Sequence, residues 1–153
     1  MRRLYEGLGY LAGLILAGLT AAVFLQVVLR YLGWAGFEGL DEVPRYLFVW
    51  LVMIGAAAAA YRGEHTALHY FRDKLTPRGH AVTRVVTTGA SIILFGAMIN
   101  ASLILVPNAQ LQSSAGLNLP LGYVYAAVPV GAALILLPLV RELVAVVRAL
   151  RGR

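Results

Sequence analysis

His65 and His69 stand four residues apart, a spacing that puts two imidazoles on one face of a helix, and Glu64 adjoins them. Imidazole and carboxylate are ligands that zinc takes, so the first chemistry to weigh is a metal site. The order Glu64-His65-Thr66-Ala67-Leu68-His69 sets the carboxylate before both histidines, whereas the zinc-protease pattern holds it between them. With no further ligand close in sequence, the pair reads as two solvated or lipid-facing groups, and no metal is expected. Haem is not expected either, because an axial histidine in a membrane bundle lies within a span and no apolar block here contains one. The absence of Cys removes disulfides, thiolate nucleophiles and iron–sulfur ligands. No Ser or Thr stands in a plausible arrangement with His and a carboxylate, and no glycine-rich loop opens a helix with Lys. The residues point away from an enzyme and call for no cofactor.

The elements that hold these residues have a membrane composition. Of 153 residues, 60% are apolar and 13% charged, where a soluble domain carries roughly 25% charged residues. The apolar residues fall in four blocks, at about 8–29, 43–61, 85–106 and 119–140, each near the ~20 residues that cross a ~30 Å hydrocarbon core. The expected fold is all-α and integral to the membrane, one domain over residues 1–153 with four transmembrane helices. Arg2 and Arg3 would also suit the start of a secretory signal peptide. The apolar run outlasts the ~7 to 15 residues of a signal core, so it is read as a retained helix.

The links are equally informative. Gly33, Gly36 and Gly39 break helix after the first block, while Trp34 and Phe37 suit the headgroup level. The second helix is expected to start near Asp41, with Pro44 tolerated in its first turn. Between Arg62 and Arg84 the chain turns polar and basic. There Leu68, Phe71 and Leu75 recur at helical spacing beside His69, Arg72, Asp73 and Lys74, which predicts a short amphipathic helix lying in the interface over about 64–75. Thr76-Pro77 would end it. Pro107 is expected to close the third block, Pro120 to fit the first turn of the fourth, and Pro129 to kink it or force a local repair of the backbone. The link from Asn108 to Asn118 holds no charged residue.

Eleven of the thirteen Lys and Arg flank one side of the blocks, and only Arg30 and Arg45 flank the other. Basic flanks stay cytoplasmic, so both termini and the Arg62–Arg84 segment, including its in-plane helix, are expected on the cytoplasmic side. The net charge of +6 therefore reports orientation and not nucleic-acid binding.

A proton or ion path normally needs an ionisable residue inside a span, and none stands near the middle of any block. Arg30 and Arg45 come nearest, with Glu38, Asp41 and Glu42 between them. Pairing of Arg30 with Glu42 or Asp41 would fix the first helix against the second; the alternative is that all are solvated among headgroups. Gln26, Thr87, Thr88 and Asn100 are candidates for hydrogen bonds between helices, Asn100 being alternatively interfacial. Gly55 and Ala56–Ala60 form a smooth surface that lets another helix approach closely, or are simply good helix formers.

Gln26-Val27-Val28-Leu29-Arg30-Tyr31, Glu42, Tyr46-Leu47-Phe48-Val49-Trp50, Gly55 and Arg62-Gly63-Glu64-His65 follow one another in an order with a precedent. Joined by Gln112-Ser113, Leu119-Pro120, Tyr123 and Pro129-Val130-Gly131, the pattern over about residues 8–140 resembles the DctQ family. These are the small membrane subunits of tripartite ATP-independent periplasmic (TRAP) transporters. The resemblance implies a non-catalytic subunit of a bacterial inner membrane that binds a large multi-span subunit and widens its fixed scaffold. In such systems the large subunit carries the substrate and sodium sites and moves elevator-fashion, and a periplasmic solute-binding protein delivers an organic acid. Arg30, Glu42 and His65 match the family's recurrent polar positions, and Pro120 and Pro129 its last-helix prolines. The family often has an acidic residue shortly after that histidine, where this chain has His69, so no salt bridge is carried over there. The implied partners are the large subunit, the solute-binding protein and membrane lipid, with Gly55–Ala60 and the uncharged link Asn108–Asn118 as the expected docking surface.

Two other classes share the physics. A small four-helix multidrug exporter has this size, but it depends on a membrane-embedded Glu in its first helix, and residues 8–29 hold no acid. A membrane anchor or assembly subunit of another complex fits equally well and differs only in its partner.

Overall fold

A computed structural model of the protein describes residues 2–33, 39–62 and 77–151, and these are helical apart from their connections. Helix α1 spans Arg2–Tyr31, α2 Glu42–Arg62, α3 Pro77–Gln110, α4 Gly122–Tyr125 and α5 Ala127–Arg151. Four stretches are long and apolar enough to cross a membrane: Arg3–Tyr31, Glu42–Arg62, Val82–Gln110 and Gly122–Arg148. The expected in-plane helix at about 64–75, with His65 and His69, lies outside the described residues, as do Trp34, Phe37 and Glu38.

Why each helix stops is legible in its termini. Gly33, at φ +77°, takes the left-handed conformation that a β-carbon would strain, and its N–H donates to the Arg30 carbonyl at 3.3 Å, closing α1. Helix α2 opens with Glu42, whose N–H donates to the Gly39 carbonyl at 3.2 Å, and Pro44 sits in the first turn where its missing N–H has no helical partner.

The prolines depart from expectation in two places. Pro107 does not close its helix, which runs on to Gln110. Pro120 lies ahead of α4 and not within its first turn, in an isolated bridge with Ser113. Pro129, in the first turn of α5, has no N–H for the Tyr125 carbonyl one turn earlier, and the helix is interrupted there, at Ala126. The interruption is mild: Ala126 stays near helical geometry, at φ −60° and ψ −21°, and donates to the Gly122 carbonyl at 2.9 Å. Pro138, deeper in α5, removes the partner of the Leu134 carbonyl.

Among the described residues packing runs in the order α1, α2, α5, α3, and α1 and α3 do not pack closely on each other. The two central helices meet through small residues. Ala57 and Ala60 of α2 lie against Ile135 and Leu139 of α5, with Leu8, Ile92, Phe95 and Leu134 around them. A β-carbon on Gly131 would stand 2.5 Å from the Met53 Cβ and 3.2 Å from its Cα, so α2 and α5 touch nearly backbone to backbone at that level. Lipid is as apolar as Leu, so such contacts hold helices together by close van der Waals packing and not by expelling water. Of α1, only Tyr5 is buried within the described chain.

Candidate functional site

One end of the layer carries the α1–α2 and α3–α4 connections, and there the two loops are clasped. The Glu42 carboxylate accepts the N–H of Gly116 through Oε1 at 3.0 Å and that of Leu117 through Oε2 at 3.2 Å. The Ser114 and Tyr46 side chains lie close to the same carboxylate. Successive backbone amides converging on a carboxylate form an anion-binding concavity, here filled from within the chain. The loop is built for this: the Ser114 N–H donates to the Leu119 carbonyl and the Leu121 N–H to the Gln112 carbonyl, both at 2.9 Å, and Asn118 takes φ +52°. Asn tolerates that left-handed turn better than most side chains do. Gly39 seats the first loop on the second, since a β-carbon there would stand 2.6 Å from the Leu117 side chain. Beside the clasp, Gln26 of α1 donates through Nε2 to Asp41 at 2.7 Å.

The pairing of Arg30 with Glu42 or Asp41 is therefore not formed among the described residues. Glu42 is turned to the α3–α4 loop and Asp41 to Gln26, and both Arg30 and Arg45 are exposed at the same end. The clasp joins Glu42 to the loop that Pro120 closes; Arg30, Arg45, Gly55 and Pro129 make none of its hydrogen bonds among the described residues. Gly55 is half-buried with no atom within 4 Å of a β-carbon placed on it. The small-residue face behind it is already occupied: Ala57, Ala58 and Ala60 are buried within this chain, leaving Ala56 and Ala59 outward. Docking of a partner along the whole Gly55–Ala60 face is thus corrected, because the chain's own helices fill its inner half. Thr87 hydrogen-bonds the Thr83 and Arg84 carbonyls of its own helix, and among the described residues it makes no bond to another helix.

At the opposite end, three contacts join the helices. The rings of Tyr5 and Tyr61 stack with centroids 4.3 Å apart and 2° between planes. The Tyr5 hydroxyl donates to the Leu134 carbonyl at 2.9 Å, the same carbonyl that Pro138 leaves without a helical partner. Arg84 of α3 meets Glu142 of α5 at 2.6 Å. Sequence reasoning passed over Tyr5, Tyr61, Gly39, Met53 and Gly131 as contact residues. The spacing of Pro138 from Leu134 is a signal that a donor was needed there, although it does not say which helix supplies it.

No group of His, Cys, Asp and Glu among the described residues is placed to hold a metal ion. The described residues form a clasp at one end, a stacked pair and an ion pair at the other, and small-residue contacts between. The profile of the DctQ component of tripartite ATP-independent periplasmic transporters matches residues 19–151. This chain belongs to the DctQ family. A protein of Haemophilus influenzae named as a TRAP transporter small permease is 40% identical to this DctQ component over 73 residues, 48% of the chain. The Sinorhizobium fredii protein y4mM is 32% identical over 127 residues, 79% of the chain. The chain spans less than half the length of these relatives, the aligned parts covering 45% and 23% of them. The family match takes in the loop clasp, the Gly131–Met53 contact and the Arg84–Glu142 pair, so these contacts belong to a DctQ membrane unit.

Proposed function

We propose that the chain is the small permease subunit of a TRAP transporter in a bacterial inner membrane, a non-catalytic scaffold for the large multi-span subunit. The observation that carries this reading is the open helical layer, with no Asp, Glu, Lys, Arg or His near the middle of any of its four candidate spans. A closed bundle with buried charge would suit a carrier. An open layer fastened at both ends suits a stationary support. A subunit that slides a transport domain across the bilayer needs a partner wide enough to resist tilting, and four helices side by side add width. Both termini and the Arg62–Arg84 segment face the cytoplasm in this reading, where the basic charge of that segment attracts anionic lipid. The clasped loops then face the periplasm, beside the protein that delivers an organic acid for sodium-coupled uptake.

The test is uptake in proteoliposomes holding the large subunit with or without this chain, with the solute-binding protein and a labelled organic acid supplied outside under a sodium gradient. Uptake is expected only when all three proteins and the gradient are present. Full uptake by the large subunit alone would sink the scaffold reading, and uptake indifferent to sodium would sink the coupling.

A further inference from the structure

Asn100 is out of keeping with the rest of α3. Measured along the helix at about 1.5 Å per residue, it lies about 24 Å from Arg84 and about 15 Å from Gln110, which puts it inside a hydrocarbon core of ~30 Å. It is exposed, and its carboxamide meets no hydrogen-bond partner among the described residues. Thr20, Thr87 and Ser102 donate to carbonyls of their own helices and Gln26 reaches Asp41, whereas the side chains of Thr88 and Ser91, like that of Asn100, have no hydrogen bond among the described residues; of these three only Asn100 lies on the exposed face of α3. A carboxamide offers two donors and two acceptor sites, none of which a lipid chain can answer.

The surroundings fit a helix and not lipid alone. The row Thr88, Ile92, Phe95, Ile99 and Ser102 turns inward, while Ile93, Ala97, Asn100 and Ile104 share the outward face at helical spacing. Ala97 and Ala101, both exposed, flank Asn100 and leave room for a second backbone. The outward face of α1, with Leu14 and Phe24, shows no comparable polar group, because Thr20 is turned onto its own Leu16 carbonyl.

We infer that the large permease subunit docks on the α3 face bearing Asn100, where a hydrogen-bonding side chain of one of its transmembrane helices meets the Asn100 carboxamide. The inference rests on the reading of this chain as the small subunit. It assigns the partner to α3 at the edge of the layer and leaves α1 to lipid.

Site-specific photocrosslinking in cells that express this chain with its own large subunit tests it. p-Benzoylphenylalanine in place of Ile93 or Ile104 is expected to give an adduct that mass spectrometry identifies as the large subunit, and the same probe at Leu14 is expected to give none. Asn100→Leu, which makes the face more apolar and so preserves membrane insertion, should lower co-purification of the large subunit about three- to tenfold, with Asn100→Gln restoring most of it. Adducts with the large subunit from Leu14 alone would overturn the inference while keeping the subunit reading. Adducts only with lipid or with a second copy of this chain would overturn it as well. If the unsubstituted chain brings down no large subunit, both readings fall together.

Discussion

The Tyr5 hydroxyl donates to the Leu134 carbonyl at 2.9 Å, across 129 residues of chain, and Leu134 is the residue whose helical partner Pro138 deletes. Helix α5 thus tolerates a proline in its interior because α1 supplies the missing donor, and the bond ties α1 directly to α5. Tyr5→Phe keeps the stack on Tyr61 and removes only the hydroxyl. Its expected cost is about 1 kcal/mol, the usual net worth of one hydrogen bond. In a Pro138→Ala background the carbonyl regains an N–H partner, so the cost of Tyr5→Phe should shrink towards zero. A double-mutant cycle read by thermal unfolding in detergent checks this, and additivity of the two substitutions would contradict it.

The span-scale architecture was legible because its cause is one-dimensional. Apolar runs such as Leu8–Leu29 report helices directly, since every backbone group in lipid must bond within its own helix. What the sequence hid was pairing between helices. Glu42 reads equally well as a partner for Arg30 or for loop amides, and the choice depends on the Ser113–Pro120 bridge, which pattern alone does not reveal. Pro107 misled for a related reason: proline removes one helical bond, yet the chain continues wherever its surroundings hold the helix together. The small residues Ala57 and Ala60 signalled close approach correctly, but composition carries no label saying that the approaching helix is the chain's own α5.

The clasp should govern the mobility of the loop end. Glu42→Ala removes the acceptor of both the Gly116 and the Leu117 amide, and these amides should then exchange hydrogen markedly faster in lipid nanodiscs. Glu42→Gln keeps one acceptor oxygen and should fall between. Arg30→Ala, at the same end of the layer, should leave the exchange of Gly116 and Leu117 unchanged. Acceleration by Arg30→Ala comparable to that of Glu42→Ala would mean that an ion pair, and not the loop amides, organises this end.

Arg84 and Glu142 form a short pair, but the Arg84 side chain is 56% exposed. Exposed pairs contribute about 0–1 kcal/mol and weaken with salt. Glu142→Gln is accordingly expected to lower thermal stability slightly at low ionic strength, with the difference fading in high salt. A large loss that persists in high salt would show the pair to be desolvated by something absent from the isolated chain.

Gly131 and Gly55 give opposite predictions although both are glycines in spans. At Gly131 even a β-carbon would meet Met53 Cβ at 2.5 Å and its backbone Cα at 3.2 Å, and backbone does not yield by rotamer change. Gly131→Val forces α2 and α5 apart at the centre of the layer, with an expected cost of about 1–3 kcal/mol, as for other overpacked contacts. At Gly55 nothing lies within 4 Å, so Gly55→Ala adds a methyl without a clash and gains up to about 1 kcal/mol of helix propensity. Unfolding midpoints of the two variants in one detergent decide the matter. If Gly55→Ala instead destabilises the isolated chain, the space beside Gly55 is not open and the contrast with Gly131 fails.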